Sequence, residues 1–88
     1  MSNFKPQITI ITEESKRDYE SSFRKGSPYK HIRYKTYAEL KKNLKKHLEE
    51  SIEFPISVNR SRRGEWGEWF EHWVLVNGKP TIIKEGWN

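Results

Sequence analysis

Cysteine is absent from the 88 residues of this chain. Its absence excludes disulfide bonds and zinc sites built from cysteine ligands, which stabilise many domains of this size. Stability must therefore come from side-chain packing and hydrogen bonds. A small domain without disulfides is typical of the reducing cytosol, so we expect a cytoplasmic protein.

Long apolar runs are also missing. No segment approaches the roughly 20 apolar residues that a membrane-spanning helix needs. The first ten residues, MSNFKPQITI, lack the charged-then-apolar order of a signal peptide. The sequence therefore predicts neither membrane insertion nor export by a signal peptide.

Hydrophobic residues are scarce, at 33 % of the chain. A chain of this length forms one domain, residues 1–88, and buries only about 60 to 65 % of the surface that it exposes when unfolded. Aromatic residues reach 14 %, so a few large side chains must supply much of the core. The four tryptophans are the obvious contributors: Trp66, Trp69, Trp73 and Trp87.

Positive charge is unevenly distributed along the chain, whose net charge is +5. Residues 24–47 hold nine lysines and arginines and a single acid, Glu39, whereas the remainder holds eight cations and eleven acids. A concentration of this kind creates a local positive field that attracts anionic partners.

The clearest predicted element is a helix that begins after Thr36. The Thr36 hydroxyl and the Glu39 carboxylate can each accept a hydrogen bond from the other residue's backbone amide, as in a capping box. Apolar residues then recur every three or four positions and form one stripe, with Lys42 and Lys46 nearly opposite it. The stripe consists of Tyr37, Leu40, Leu44, Leu48 and Ile52. Pro55 requires the helix to have ended.

Strands are predicted on both sides of this helix. The β-branched segment QITIIT, residues 7–12, indicates a first strand, which we expect to join the sheet through a right-handed crossover. Residues 13–28 form a long polar connection in which one helical turn would pair Tyr19 with Phe23. The segment YKHIRY, residues 29–34, is a candidate for a further short strand. Phe54, Ile56 and Val58 alternate with polar or turn-forming residues, as in a half-buried strand.

The strongest local signal is Asn77-Gly78, a pair that favours the two-residue turn of a β-hairpin. Counting outward pairs Trp73 with Ile82, His72 with Ile83, and Glu71 with Lys84. One face of this hairpin then carries Trp69, Trp73, Leu75 and Ile82, and the other carries Phe70, Val74, Val76 and Ile83. Only one face can pack on the helix, so the other is either covered by residues 13–28 or exposed as a contact surface.

These elements predict an α+β fold. Its mainly antiparallel sheet has four or five strands, in the order β(β)αβββ, and one amphipathic helix packs on one face.

Catalytic patterns are weak. The three histidines, His31, His47 and His72, lie in separate segments. On a strand, Glu68 and His72 share a face but lie about 13 Å apart, too far to ligate one metal. The plainer interpretation is that these acids are solvated and that His72 packs among aromatic rings. No serine or glycine pattern typical of a nucleophile or a phosphate loop is present. We therefore expect no enzyme, no metal site and no cofactor.

The basic middle of the chain favours nucleic-acid binding, to DNA or RNA. Phosphates bind clustered lysine and arginine, and single strands also stack on aromatic rings. The segment YKHIRYKTY interleaves three tyrosines with cations, the helix adds lysines, and NRSRRG adds an arginine-rich turn. The predicted contacts are Lys30, Arg33, Lys35, Lys42, Lys46, Arg62 and Arg63. The competing interpretation is an ordinary solvated surface.

The alternative function is binding of a protein partner, as an accessory or inhibitory module. This hypothesis uses the second aromatic face of the hairpin, with Trp66, Phe70 and Trp87 as the contact residues, because exposed aromatic side chains often anchor protein interfaces. Trp73 is expected to belong to the core.

Overall fold

A computed structural model describes residues 5–23, 25–61 and 67–87. The elements are β1 (Gln7–Ile10), α1 (Glu13–Ser21), β2 (Lys30–Arg33), α2 (Tyr37–Glu50), β3 (Ile56–Arg60), β4 (Trp69–Val76) and β5 (Lys79–Trp87). The predicted α+β class and the predicted fifth strand, β2, are confirmed, and the structure contains a second helix, α1.

The five strands form one antiparallel sheet in the order β2-β1-β3-β4-β5. β1 pairs antiparallel with both of its neighbours, so β2 and β3 run parallel to each other with β1 between them. The crossover through α2 therefore links β2 to β3, as in a split βαβ unit. The expectation that the first strand itself joins through a crossover is wrong, because α1 reverses the chain and returns β2 to the outer edge of β1.

Residues 13–21 form α1 where a long connection was predicted. Thr12 caps the helix: its hydroxyl accepts from the Ser15 amide at 3.0 Å, and the Ser15 hydroxyl accepts from the Thr12 amide at 2.9 Å. None of the α1 side chains is buried, so the helix has no apolar stripe for sequence periodicity to reveal. Phe23 lies beyond its end and is 90 % exposed, so the predicted pairing with Tyr19 within one helical turn is wrong.

Helix α2 begins where the sequence predicts, with the Thr36 hydroxyl accepting from the Glu39 amide at 3.1 Å. Its three leucines, Leu40, Leu44 and Leu48, are at most 2 % exposed, and burial of each stabilises the fold by about 1.5 to 3 kcal/mol. They pack against apolar side chains of the sheet, namely Ile8, Ile10, Ile56, Val58 and Trp73. Ile52 does not belong to this stripe, because the helix ends at Ser51 in extended geometry and leaves Ile52 39 % exposed.

The β4–β5 hairpin follows the predicted register from its turn as far as Trp73 and Ile82. Asn77 and Gly78 both have positive φ, 51° and 76°, as the predicted turn requires. A bulge between His72 and Trp73 then shifts the pairing by one residue.

The bulge makes two predicted pairs wrong. His72 lies opposite Lys84 rather than Ile83, and Glu71 lies opposite Glu85 rather than Lys84. Because side chains alternate between the faces of a strand, this one-residue shift moves Lys84 to the same face as His72.

Helix α2 packs on the hairpin face that carries Trp73, Leu75 and Ile82. The opposite face carries Phe70 and Val74, which are only half-buried. Within the described residues, α1 makes no extensive contact with β4 or β5, so this second face is left uncovered. We call the sheet surface that faces away from α2 the open face.

Candidate functional site

The outward side of α2 carries four exposed lysines, which we call the lysine face: Lys41, Lys42, Lys45 and Lys46. The leucine stripe holds the opposite side of the helix on the sheet, so the lysines have a rigid support. Among the residues that the structure describes, no carboxylate lies within 4.0 Å of any of the four amines, and the ion pairs present there involve His47 and Arg60 instead. Lys41 lies over an aromatic ring, with its Nζ 5.6 Å from the Tyr37 centroid. The lysine face thus presents four amines that form no salt bridge with a described carboxylate.

The three predicted cations that precede α2 are divided by the sheet. Lys30 pairs with Ile10 and lies on the helix side, where it lines a cleft between α1 and the end of α2 that also contains Glu13, Glu14, Glu49 and Glu50. Arg33 pairs with Gln7 on the open face, and its Nε donates to Gln7 Oε1 at 3.1 Å. Lys35 is exposed in the loop before α2. Of the predicted contacts, the structure therefore brings together Lys42 and Lys46 and separates Arg33 from them.

The predicted arginine turn lies largely outside the described residues, which omit Arg62, Arg63 and Trp66. Arg60 is described, and it turns inward. Its guanidinium stacks on the Tyr37 ring, with Cζ 3.8 Å from the centroid, and its Nη2 lies 3.6 Å from the Glu71 carboxylate. Arg60 therefore supports the contact between α2 and the sheet instead of extending the turn.

Glu71 is a buried carboxylate that accepts several hydrogen bonds and that the sequence did not predict as a structural residue. It is 2 % exposed and accepts from the Tyr37 hydroxyl at 2.7 and 2.9 Å, from Trp69 Nε1 at 3.2 Å and from Trp73 Nε1 at 3.1 Å. The expectation that the acids of this segment are solvated is wrong for Glu71. The signal was the alternation of Trp69, Glu71 and Trp73 on one face, because buried indole N–H groups need acceptors.

These contacts hold the Tyr37 hydroxyl as a donor. Burial, and next the hydrogen bond to Glu71, raise the pKa of Tyr37 well above its usual value. The group therefore stays neutral at physiological pH, and the cluster is suited to bracing α2 against β4.

A second buried polar contact joins α2 to the residue after β2. The Tyr34 hydroxyl is hydrogen-bonded to His47 Nε2, and the His47 side chain is almost fully enclosed. His47 Nδ1 has no hydrogen-bond partner within the described ranges, and the Glu50 carboxylate lies 3.8 Å from it. Burial lowers the pKa of His47 and raises that of Tyr34, so both groups are held in their neutral forms.

Two parallel rows of side chains cross the open face. The strand pairings define the first row as Arg33, Gln7, Asn59, Phe70 and Gly86, and the second row as His31, Thr9, Ser57, His72 and Lys84. The rings of Phe70 and His72 lie 5.2 Å apart, and the Lys84 amine lies 5.9 Å from the Phe70 centroid. The interpretation that His72 packs beside an aromatic ring is therefore confirmed.

Hydrogen bonds order the other end of the open face. Gln7 Nε2 and Thr9 Oγ1 lie 3.2 and 3.0 Å from the same His31 nitrogen, Nδ1. Since an amide nitrogen can only donate, Nδ1 accepts, and the ring proton of neutral His31 resides on Nε2. Arg33, Gln7 and His31 thus form one bonded chain across β1 and β2.

The residues predicted for a protein partner do not share a face. Phe70 lies on the open face, whereas Trp87 pairs with Trp69 on the helix side, where their rings meet edge-on at 5.0 Å. Trp87 is 42 % exposed. A single contact surface cannot use both residues without wrapping around β5.

Over residues 5–23, 25–61 and 67–87, no three histidine or acidic side chains gather in a way that could hold a metal ion. Neither described helix combines the length and the apolar character needed to cross a bilayer.

Comparison with known proteins returns no match: no family model, no curated protein and no solved structure is significantly similar to this chain.

Proposed function

We propose that this protein is a non-enzymatic binding module that holds nucleic acid by its phosphates on the lysine face of α2. The observation that supports this proposal is the cluster of four exposed amines with no carboxylate within ion-pair distance among the described residues. Such amines attract phosphates strongly, because each phosphate that they neutralise releases condensed counterions.

The support beneath the lysines favours binding. Lys42 and Lys46 lie about one helical turn apart, about 6 Å along the axis, on a helix that buried leucines fix to the sheet. Their positions therefore change little when a ligand arrives, which lowers the entropic cost of association. Lys35 extends the positive charge toward the start of α2. Arg62 and Arg63 are further phosphate contacts that the sequence predicts.

Reversal of the lysine charges tests the proposal. We expect the Lys42→Glu, Lys46→Glu variant to weaken binding to DNA and RNA of all sequences alike, because phosphates carry no base identity. Measured by fluorescence anisotropy with a duplex of 15 base pairs, the slope of log affinity against log salt should decrease in magnitude by about 2.

The matched control reverses two exposed cations elsewhere, Lys16→Glu with Lys25→Glu, which changes the net charge equally. This control should bind nearly as well as the wild-type protein. Equal losses in the two variants would show that net charge alone is responsible, and binding that does not depend on salt would contradict the proposal.

The second candidate function is recognition of a protein partner by the open face. It is favoured by the exposure of Val76, which lies on the same side of β4 as Phe70 and is 48 % exposed. Phe70→Ala should then abolish capture of a partner while the fold survives, and the association should persist at high salt, because apolar contact is not screened. A protein that stays monomeric and captures no partner argues against this function.

A further inference from the structure

We propose that the open face is a second nucleic-acid site, specific for the unpaired bases of a single strand. The inference rests on the proposed function, because it takes nucleic acid as the partner, but it concerns the opposite surface of the sheet from the lysine face. The lysine face binds phosphates of any nucleic acid, whereas the open face would select a single-stranded ligand.

The open face has the shape that a strand of unpaired bases requires. Adjacent strands lie about 4.8 Å apart, so each row extends about 19 Å across the five strands, and the two rows lie about 6.7 Å from each other. Within the described residues, α2 covers only the other side of the sheet, and α1 leaves the hairpin uncovered. An accessible sheet face of this kind allows several bases to lie side by side.

Two aromatic rings, two residues apart on β4, provide stacking surfaces. Phe70 and His72 point to the same side of β4, and both are half-buried, so part of each ring faces solvent. The Phe70 ring reaches across to Gly86, where a Cβ atom placed on the glycine would lie 3.5 Å from the ring. Because Gly86 has no side chain, nothing protrudes from the sheet beside the Phe70 ring at this position. Bases stack on rings placed in this way with little regard to sequence.

Positive charge lies at the two opposite edges of the open face, with one cation at one end of each row. Arg33 ends the first row, and the bulge in the hairpin brings Lys84 to the end of the second. Neither row contains a carboxylate, so nothing in them repels a phosphate backbone. The polar side chains between the ends, Gln7, Asn59 and Ser57, offer hydrogen bonds to base edges.

The combination distinguishes a single strand from a duplex. In a duplex the bases are paired and stacked on one another, so their faces are not available to Phe70 and His72. In a single strand the bases turn toward the rings while the phosphates contact Arg33 and Lys84.

A purely structural role for Phe70 is the competing explanation, because an aromatic ring over a cross-strand glycine also stabilises a sheet. The test therefore uses Phe70→Leu, which keeps apolar cover over Gly86 and removes the stacking surface. Phe23→Leu is the matched control, since Phe23 is 90 % exposed and lies outside the sheet. Circular dichroism and the melting temperature verify that each variant is folded.

The experiment measures affinities of the full chain for three probes by fluorescence anisotropy at low salt. The probes are a 15-nucleotide oligothymidine, an abasic strand with the same number of phosphates, and a 15-base-pair duplex. The wild-type protein should prefer oligothymidine to the abasic strand. Phe70→Leu should lower affinity for oligothymidine by about fivefold or more and remove that preference, with duplex binding unchanged. Phe23→Leu should change none of the three affinities.

Equal wild-type binding to oligothymidine and the abasic strand would overturn the inference. If Lys42→Glu with Lys46→Glu still weakened both, the proposed function would survive alone. Failure of the wild-type protein to bind any probe would overturn both. Should Phe70→Leu not fold, Arg33→Gln with Lys84→Gln replaces it. This variant should lower the single-strand salt slope by about 1.4 and leave duplex binding unchanged, and an unaltered slope would refute the inference.

Discussion

The Tyr37 hydroxyl donates to both carboxylate oxygens of Glu71, at 2.7 and 2.9 Å, and so ties the first turn of α2 to the middle strands of the sheet. The same carboxylate accepts from two indole N–H groups, and the Arg60 guanidinium covers the Tyr37 ring. The lysine face therefore rests on a helix that is fixed at one end by a buried polar cluster and along its length by leucines.

Removal of the Glu71 carboxylate should destabilise the fold strongly. Glu71→Ala leaves the Tyr37 hydroxyl, two indole donors and the Arg60 charge without their acceptor. We expect the free energy of unfolding to fall by about 3 kcal/mol or more. Urea denaturation followed by tryptophan fluorescence measures it.

Glu85→Ala is the matched control for this prediction. Glu85 lies directly opposite Glu71 in the sheet but is exposed, so its loss should change stability by less than about 0.5 kcal/mol. A Glu71→Ala protein as stable as Glu85→Ala would mean that the cluster contributes no net stabilisation.

Stability should decrease in mild acid because of His47. Burial lowers the pKa of His47 in the folded protein below its unfolded value of about 6.5, so the unfolded state binds the proton more readily. The stabilisation is complete above pH 6.5 and is lost as the pH falls from there toward the folded pKa. The free energy of unfolding, measured in urea at pH 7.5 and at pH 5.5, should be smaller at the lower pH.

Substitution identifies the histidine responsible. His47→Gln should flatten this pH dependence, whereas His31→Asn, at an exposed position, should retain it. An undiminished slope in His47→Gln would assign the effect to other groups.

Tyr37 should give the opposite dependence in alkali. Its pKa is raised in the folded protein, mainly by burial and by the bond to Glu71, so above pH 10 the folded state holds a proton that the unfolded state releases. Stability should therefore fall as the pH rises beyond 10. Because the pKa of Tyr34 is also raised, absorbance at 295 nm should show more than one phenol that ionises late, and Tyr37→Phe should reduce the late amplitude; an unchanged late amplitude would contradict the assignment.

Local signals explain the parts of the fold that were predictable. The hydrogen bond from the Glu39 amide to the Thr36 hydroxyl marks the start of α2, and the leucine spacing marks its buried side. Asn77-Gly78 sets the hairpin turn. Each of these depends on neighbours within a few residues. The exposure of Lys42 and Lys46 followed from the same periodicity.

The missed features depend on tertiary contacts. Helix α1 carries one aromatic side chain, Tyr19, and no buried residue, so its Thr12–Ser15 cap was the clearest signal for it. The bulge beside His72 shifts the register that was counted from the turn. The predicted pairing of Lys84 with Glu71 therefore placed Lys84 on the helix side of the sheet, whereas it lies on the open face. The sequence does not specify how β2 pairs with β1, and this pairing decides on which face of the sheet Arg33 lies. Arg33 was therefore predicted to share a surface with the helix lysines, although it lies on the open face.

Two glycines of the hairpin should respond differently to alanine. Gly78 has φ +76°, a conformation that costs an alanine about 1 to 2 kcal/mol, and no atom lies near enough to add a steric clash. At Gly86 a Cβ would meet the Phe70 ring at an ordinary contact distance of 3.5 Å. We therefore expect Gly78→Ala to lower the free energy of unfolding and Gly86→Ala to leave it within about 0.5 kcal/mol, as measured by urea denaturation. Equal losses would show that backbone conformation at the turn is not the cause.

The two proposed nucleic-acid surfaces lie on opposite sides of a molecule whose smallest dimension is 21 Å. A strand of three nucleotides is too short, even when fully extended, to reach both surfaces, whereas a strand of 24 can pass from one surface to the other. When one strand binds both surfaces at once, the second contact is intramolecular, so affinity should rise between these lengths by about 100-fold or more. A longer strand also offers more positions at which a single surface can bind, and these additional binding registers alone raise affinity by roughly 20-fold. Because the gain requires both surfaces, Phe70→Leu and the Lys42→Glu, Lys46→Glu variant should each reduce it to the effect of registers alone. A gain that either variant retains in full would mean that the strand occupies one surface at a time.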